Sequence, residues 1–260
     1  VSTNNSTGCM IIPAGPTEHR GGRGRGVVAG GRDASNPAID TMDFIEIATA
    51  GNATDFGNLS DGGRDYPAGC GSATRGIFFG GSEPGFRNII DFVITSSSGG
   101  ANDFGDMLIA PLQNTALSNA TRGITAGGLT APTPSYTKNS SIEFIVMAST
   151  GNSSGFGDLS EDNAASSTCA SPTRGIFNQG SVPTYKKTIE YITIATGGNA
   201  TRFGDSTKAG AGGPAGASSV TRGVFAGGQH DNPYPLSNII DYITIATEGN
   251  AIDFGDLAAA

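Results

Sequence analysis

Two charged columns recur along this sequence and are the first places where its residues could do chemistry. An arginine precedes a glycine at Arg25, Arg75, Arg122, Arg174 and Arg222, and a carboxylate precedes an aromatic ring at Asp43-Phe44, Asp91-Phe92, Glu143-Phe144, Glu190-Tyr191 and Asp241-Tyr242. Five cations and five anions repeated in step admit two readings: a ligand site assembled from five directions, or a structural clamp in which each arginine meets an acid. Leaving either charge buried alone is costly. The sequence therefore predicts an Arg-acid clamp, within a repeat or between neighbours.

A third column runs Phe56-Gly57-Asn58, Phe104-Gly105-Asp106, Phe156-Gly157-Asp158, Phe203-Gly204-Asp205 and Phe254-Gly255-Asp256. Carboxylates are ligands of the kind Ca²⁺ takes, and Asp103 with Asp106, or Asp253 with Asp256, could cooperate. Gly155 and Arg202 break that pairing in two repeats, so these aspartates read as turn formers and no metal is expected. His19 and His230 stand in different segments without an HExxH, nucleophile-elbow or Cys-His context. The run GGRGRG lacks the Gly-Lys-Ser/Thr of a phosphate loop. Glu18, Asp33, Glu83, Glu161 and Asp231 lie outside the columns, and sequence does not pair them into the two carboxylates of a glycoside hydrolase. The expectation is a protein that is not an enzyme and carries no cofactor. Cys70 and Cys169 each lie five residues before an Arg-Gly pair and read as small core residues, while Cys9 has no assigned role. Three cysteines make no disulfide framework.

These columns must be positioned by repeated elements. The Arg-Gly pairs are 47 to 52 residues apart, the length of one propeller blade or solenoid turn. After each pair comes a short apolar run ending in glycine: VVAGG, IFFGG, ITAGG, IFNQG and VFAGG. The acid-aromatic column sits in a β-branched run such as IIDYITIAT (Ile239 to Thr247), apolar on both alternating faces and so sandwiched between layers. Gly-Asn at 51, 151, 198 and 249, replaced by Gly100-Ala101 in the second repeat, is read as a tight turn into the Phe-Gly-Asp strand. A segment such as Tyr66 to Thr74 adds a strand before Arg-Gly. Up to four antiparallel strands per repeat of about 50 residues make an all-β, five-bladed β-propeller the predicted fold. Repeats are placed at about 14–60, 61–108, 109–160, 161–207 and 208–260. Residues 1–13 stand outside them as an extension or as a closing or assembly strand, formed by Cys9 to Ile12.

Composition narrows the function classes. The chain has 260 residues and 41 glycines, well above the usual share of about 7% and without a collagen triplet. Its net charge of -8 opposes general binding to nucleic acid or anionic membranes. No run of apolar residues is long enough for a membrane-spanning helix. The opening VSTNNSTG has neither Met nor a signal core, and reads as a processed product or a segment of something longer.

The order of strand, Gly-Gly, aromatic strand and closing aromatic strand over residues 14–258 resembles the kelch repeat of β-propellers. It has Phe where kelch units place Trp, and Gln179-Gly180 in place of one Gly-Gly. The idiom TRG(I/V)F.GG with NIIDYITIATxGNAxDFGDL also resembles repeats of structural and tail-appendage proteins of marine and cyanobacterial phages. That resemblance implies a virion or extracellular location and a non-enzymatic structural or binding module. Its partners would be other structural subunits or a host-surface glycan, within an oligomer or larger assembly. Specificity would lie in the loops Asp33 to Ala38, Ser82 to Arg87, Thr130 to Thr137, Ser181 to Lys187 and His230 to Leu236, with Phe86, Tyr136, Tyr185, His230 and Tyr234 as binding candidates. Two alternatives stand beside it: a self-assembling filament or coat subunit joined through residues 1–13, and a glycan-processing enzyme.

Overall fold

The computed structural model describes residues 9–11, 24–33, 37–83, 85–130, 136–178, 180, 186–210, 213–229 and 236–259. They form five antiparallel sheets, the blades of a five-bladed β-propeller, as the repeat predicts. Blade 1 contains β1 (Cys9–Ile11), β2 (Arg25–Ala29), β3 (Thr41–Glu46) and β4 (Thr54–Asn58). Blade 2 contains β5 (Ala68–Gly71), β6 (Arg75–Phe79), β7 (Ile89–Ile94) and β8 (Asn102–Asp106). Blade 3 has β9 (Thr115–Ser118), β10 (Arg122–Ala126), a short β11 (Leu129–Thr130), β12 (Thr137–Val146) and β13 (Ser154–Asn163). Blade 4 has β14 (Ser167–Ala170), β15 (Arg174–Asn178), β16 (Lys186–Thr193) and β17 (Thr201–Gly210). Blade 5 has β18 (Ala215–Ser218), β19 (Arg222–Ala226), β20 (Ile239–Thr244) and β21 (Ile252–Asp256).

Blades 2 to 4 are apolar on both faces because each is packed on both. The leading face of one blade meets the trailing face of the next, and the core is divided among these junctions. Val27, Ala29, Met42, Phe56 and Leu59 of blade 1 pack against Phe78 and Val93 of blade 2. Blade 2 offers Ile77, Phe79, Ile90 and Phe104 to Ile145 and Met147 of blade 3. Blade 3 offers Leu117, Ile124, Ile142 and Phe156 to Phe177, Ile192 and Ile194 of blade 4. Blade 4 offers Ile176, Ile189 and Phe203 to Phe225, Ile243 and Ile245 of blade 5.

Two expectations need correction. The strand expected at Cys9 to Ile12 forms over Cys9–Ile11, but it belongs to blade 1 rather than standing outside the repeats. It pairs with β2 in the register Cys9↔Ala29, Met10↔Val28 and Ile11↔Val27, as Ala68–Gly71 pairs with β6. Each blade therefore begins with the strand before its Arg-Gly, and the first repeat starts at residue 9 rather than 14. The Gly-Asn pairs do not form the tight turn either. That turn closes earlier, through Ser149 N to Val146 O and Thr247 N to Thr244 O, because the Ala-Ser/Thr segment already reverses the chain. Gly-Asn instead reaches across to the preceding blade.

The double glycines end the second strand of four blades. Gly127 and Gly128 have φ of +64° and +105°, and a Cβ on Gly127 would stand 2.6 Å from the carbonyl oxygen of Asn163. Only glycine turns the chain there without strain or clash. Of the candidate loop residues, Phe86 and Tyr136 are among the described residues.

Candidate functional site

The charged columns are joined to the fold in a way set by strand parity. Ile77 faces Phe92 in the β6–β7 register, and Phe78 faces Asp91. Arg75 lies two residues before Ile77, so it shares a face with the aromatic ring, while the acid points to the other side. All five repeats obey this. The guanidinium carbon lies 4.2 Å from the ring centre in Arg25/Phe44, 4.7 Å in Arg75/Phe92 and in Arg122/Phe144, 4.5 Å in Arg174/Tyr191 and 4.6 Å in Arg222/Tyr242. Each of those rings then meets the phenylalanine of its Phe-Gly strand edge-on, for example Phe92 and Phe104 at 6.0 Å. The predicted pairing of Arg25, Arg75, Arg122, Arg174 and Arg222 with Asp43, Asp91, Glu143, Glu190 and Asp241 is therefore corrected. What stands in its place is a cation on an aromatic face.

The arginines also bind forward into the next blade. Arg75 donates to the carbonyl of Met147 at 2.8 Å, Arg122 to that of Ile194 at 2.9 Å, and Arg174 to those of Ile245 and Ala246 at 3.1 Å. Arg25 pairs with Glu46, its cross-strand neighbour, rather than with Asp43.

The acids bind backward. Asp91 accepts the amide and hydroxyl of Ser60 in blade 1 and pairs with the fully buried Arg64. Glu143 accepts the amides of Leu108 and Ile109 in blade 2 at 2.9 and 3.2 Å. Glu190 accepts the amide of Ser160 in blade 3, and Asp241 the amide and hydroxyl of Thr207 in blade 4. Each of these four carboxylates is buried and clasps the chain leaving the previous blade.

A strap completes the junction. Gly151 N donates to Phe104 O at 2.7 Å and Ser153 N to Asp106 O at 2.9 Å, and the side chain of Asn152 accepts the amide of Asp106 at 3.0 Å. The same bonds join Gly198, Asn199 and Ala200 to blade 3 and Gly249, Asn250 and Ala251 to blade 4. Sequence reasoning placed this asparagine in a turn; its recurrence opposite Phe-Gly-Asp was the available signal. Asp103 and Asp253, read as turn formers, lie within β8 and β21, where each accepts the amide two residues on, at Gly105 and Gly255, beside a bulge in the ladder.

The loop end holds the second candidate. Phe86 and Tyr136, from the loops of blades 2 and 3, stack with ring centres 5.8 Å apart and planes 29° from parallel. Phe86 is half-buried, whereas Tyr136 is 67% exposed. Beside Phe86 runs a set of ion pairs. Arg32 binds Asp65 at 2.6 Å and Glu83 at 3.4 Å, and Arg87 binds Asp61 while donating to the carbonyl of Glu83. The hydrogen bond to Asp65 raises the Arg32 pKa above its ordinary value. Tyr185, His230 and Tyr234 lie outside the described residues. Between blades 4 and 5, Asp241, Ser206, Lys208 and Gln229 line a cavity of about 30 Å³, room for a water rather than a sugar ring.

No protein-family model matches the chain, and no curated protein matches it. Among solved structures it is similar to the one titled "Structure of YjhT", with a TM-score of 0.74 and 13% identity over 99% of this chain and 85% of that one. At that identity the likeness is one of fold: the chain is a β-propeller.

Proposed function

We propose that this chain is a non-enzymatic structural or binding module, built of kelch-like blades, that presents its loop end to a partner. The setting we propose is a virion tail appendage or a related extracellular assembly, and the partner is a host-surface glycan or another structural protein. The observation that carries the reading is the Phe86–Tyr136 stack. It joins the loops of two blades and leaves Tyr136 67% exposed. An exposed ring with fixed orientation suits stacking on the CH face of a sugar or on a partner's aromatic residue. The recurring acids support a non-catalytic role, since four of the five bind neighbouring blades. The filament reading in its arm-exchange form loses ground, because β1 is already paired within its own blade.

The test is a binding screen against a glycan panel and against co-purified structural proteins, comparing the wild type with Tyr136→Ala and Phe86→Ala. The reading expects at least a tenfold loss of binding in Tyr136→Ala with an unchanged melting temperature. Equal binding by both variants would remove the loop stack from the function. Shortening of a bound glycan during the assay would move the assignment to a glycan-processing enzyme.

A further inference from the structure

Five blades around an axis have five places to meet, and four of them are built alike. At those four the outer phenylalanine is covered: Phe56, Phe104, Phe156 and Phe203 are 2 to 6% exposed. Backbone of the next blade lies 2.0 to 2.5 Å from where a Cβ would stand on Gly57, Gly105, Gly157 and Gly204.

Among the described residues, none of this is present between blade 5 and blade 1. Phe254 is 56% exposed and Leu257 40%, and nothing lies within 4 Å of a Cβ built on Gly255. On the facing side Ile47 is 43% exposed, where its equivalents Met147, Ile194 and Ile245 are at most 2%. Gly51 and Ala53 make no strap to Phe254 or Asp256. Asp43 is half-buried and clasps no described residue of blade 5, unlike the four other column acids. The inner strands follow the same rule: β18 is exposed along its whole length, whereas β5, β9 and β14 are mostly covered.

Both surfaces nevertheless keep the chemistry of a junction. Blade 5 carries the arginine-aromatic-phenylalanine ladder on its leading face, with Arg222 over Tyr242 and Tyr242 5.9 Å from Phe254. Blade 1 carries Val28, Ile45, Ile47, Asp43 and the strap residues Gly51-Asn52 on its trailing side. One surface is of the leading kind and the other of the trailing kind. A body that fits both must have a trailing and a leading face of its own, and a blade has these. A second whole copy of the chain offers only one free face of each kind, each attached to four more blades.

We propose that the opening between blades 5 and 1 seats one further blade of this same repeat, completing a six-bladed ring. Its strap glycine would donate to Phe254 O, and its acid would accept the amide that follows Leu257. On the other side, the second residue after its own Phe-Gly-Asp would donate to Asp43, and its phenylalanine would cover Ile47. Propellers of four to eight blades accommodate such a count.

The test compares hydrogen exchange in this chain with that in a chain whose last repeat, residues 208–257, is duplicated after Leu257, and in a second chain with the duplicate placed ahead of the first residue. The proposal expects the amides of Ile252–Asp256 to exchange at least tenfold faster than those of Asn102–Asp106 in the five-repeat chain. It expects them to slow to the same level in either six-repeat chain. Protection already equal in the five-repeat chain would mean that the ring closes on itself, and would overturn the proposal. So would a duplicate that is digested by protease or unfolds the rest in both positions, or protection that appears only on dimerisation.

Discussion

Asp241 in blade 5 accepts both donors of one residue in blade 4, the amide of Thr207 at 3.0 Å and its hydroxyl at 2.7 Å. The carboxylate is 6% exposed, so water does not replace a lost donor. Thr207→Val is expected to cost about 2 kcal/mol, a hydrogen bond to a buried charge, and to lower the melting temperature by about 5 °C. Thr207→Ser should be nearly neutral. Asp43→Asn, in the same column at the open junction, should change stability by no more than about 0.5 kcal/mol. Thermal denaturation of the three variants checks the contrast.

The ring beneath each arginine, not the acid beside that ring, is its energetic partner. A double-mutant cycle on Arg122 and Phe144 is expected to give a coupling of about 1 kcal/mol. The cycle on Arg122 and Glu143 should give a coupling near zero, because the two side chains lie on opposite faces of blade 3. A larger coupling in the second cycle would restore the ionic clamp.

Gly105 and Gly255 occupy the same column with nearly the same backbone, φ +144° and +139°. Alanine at either meets the same conformational strain. At Gly105 its Cβ would also fall 2.5 Å from the backbone of Gly151, while at Gly255 it meets open space. Gly105→Ala should therefore be the more destabilising by about 2 kcal/mol, the scale of overpacking against a neighbour that cannot move aside. Chemical denaturation of the pair measures the interblade contact with the strain cancelled.

Burial pushes the thiols of Cys70 and Cys169 up to about 12 from an ordinary 9.0. The folded value lies above the unfolded one, so the stabilising effect of keeping the thiols protonated is complete below about pH 9 and is lost as the pH rises toward 12. The urea midpoint should fall over that window, and should fall less in the Cys70→Ala/Cys169→Ala variant. At pH 8 an alkylating reagent should leave both thiols unmodified until denaturant is added.

Much of the fold was legible because the columns recur at one blade-length period, and a β-branched run apolar on both faces, such as Ile239 to Thr247, is built to pack between two blades. The partner of each column was harder to read. Arg222 and Asp241 are adjacent in any list of charges, and only the register that sets Val224 against Tyr242 shows that they face apart. Cys9–Ile11 escaped assignment to blade 1 because the longer stretch separating it from Arg25 hid its equivalence to Ala68–Gly71. Arg64 lies in no column, so nothing in the repeat marked it as the buried partner of Asp91. The Phe86–Tyr136 stack needed the loop end itself, since the two rings come from different blades.

Every blade is cut from one stretch of chain, and among the described residues no strand is shared between blade 1 and blade 5. The molecule is thus a curved row of nearest neighbours, closer in its energetics to a stacked repeat protein than to a barrel. Loss of a terminal blade breaks one junction and leaves the others standing, so unfolding is expected to proceed inward from the ends in steps. By the same logic, whole-repeat duplication or deletion changes the circumference without forcing any blade to be rebuilt from two sources.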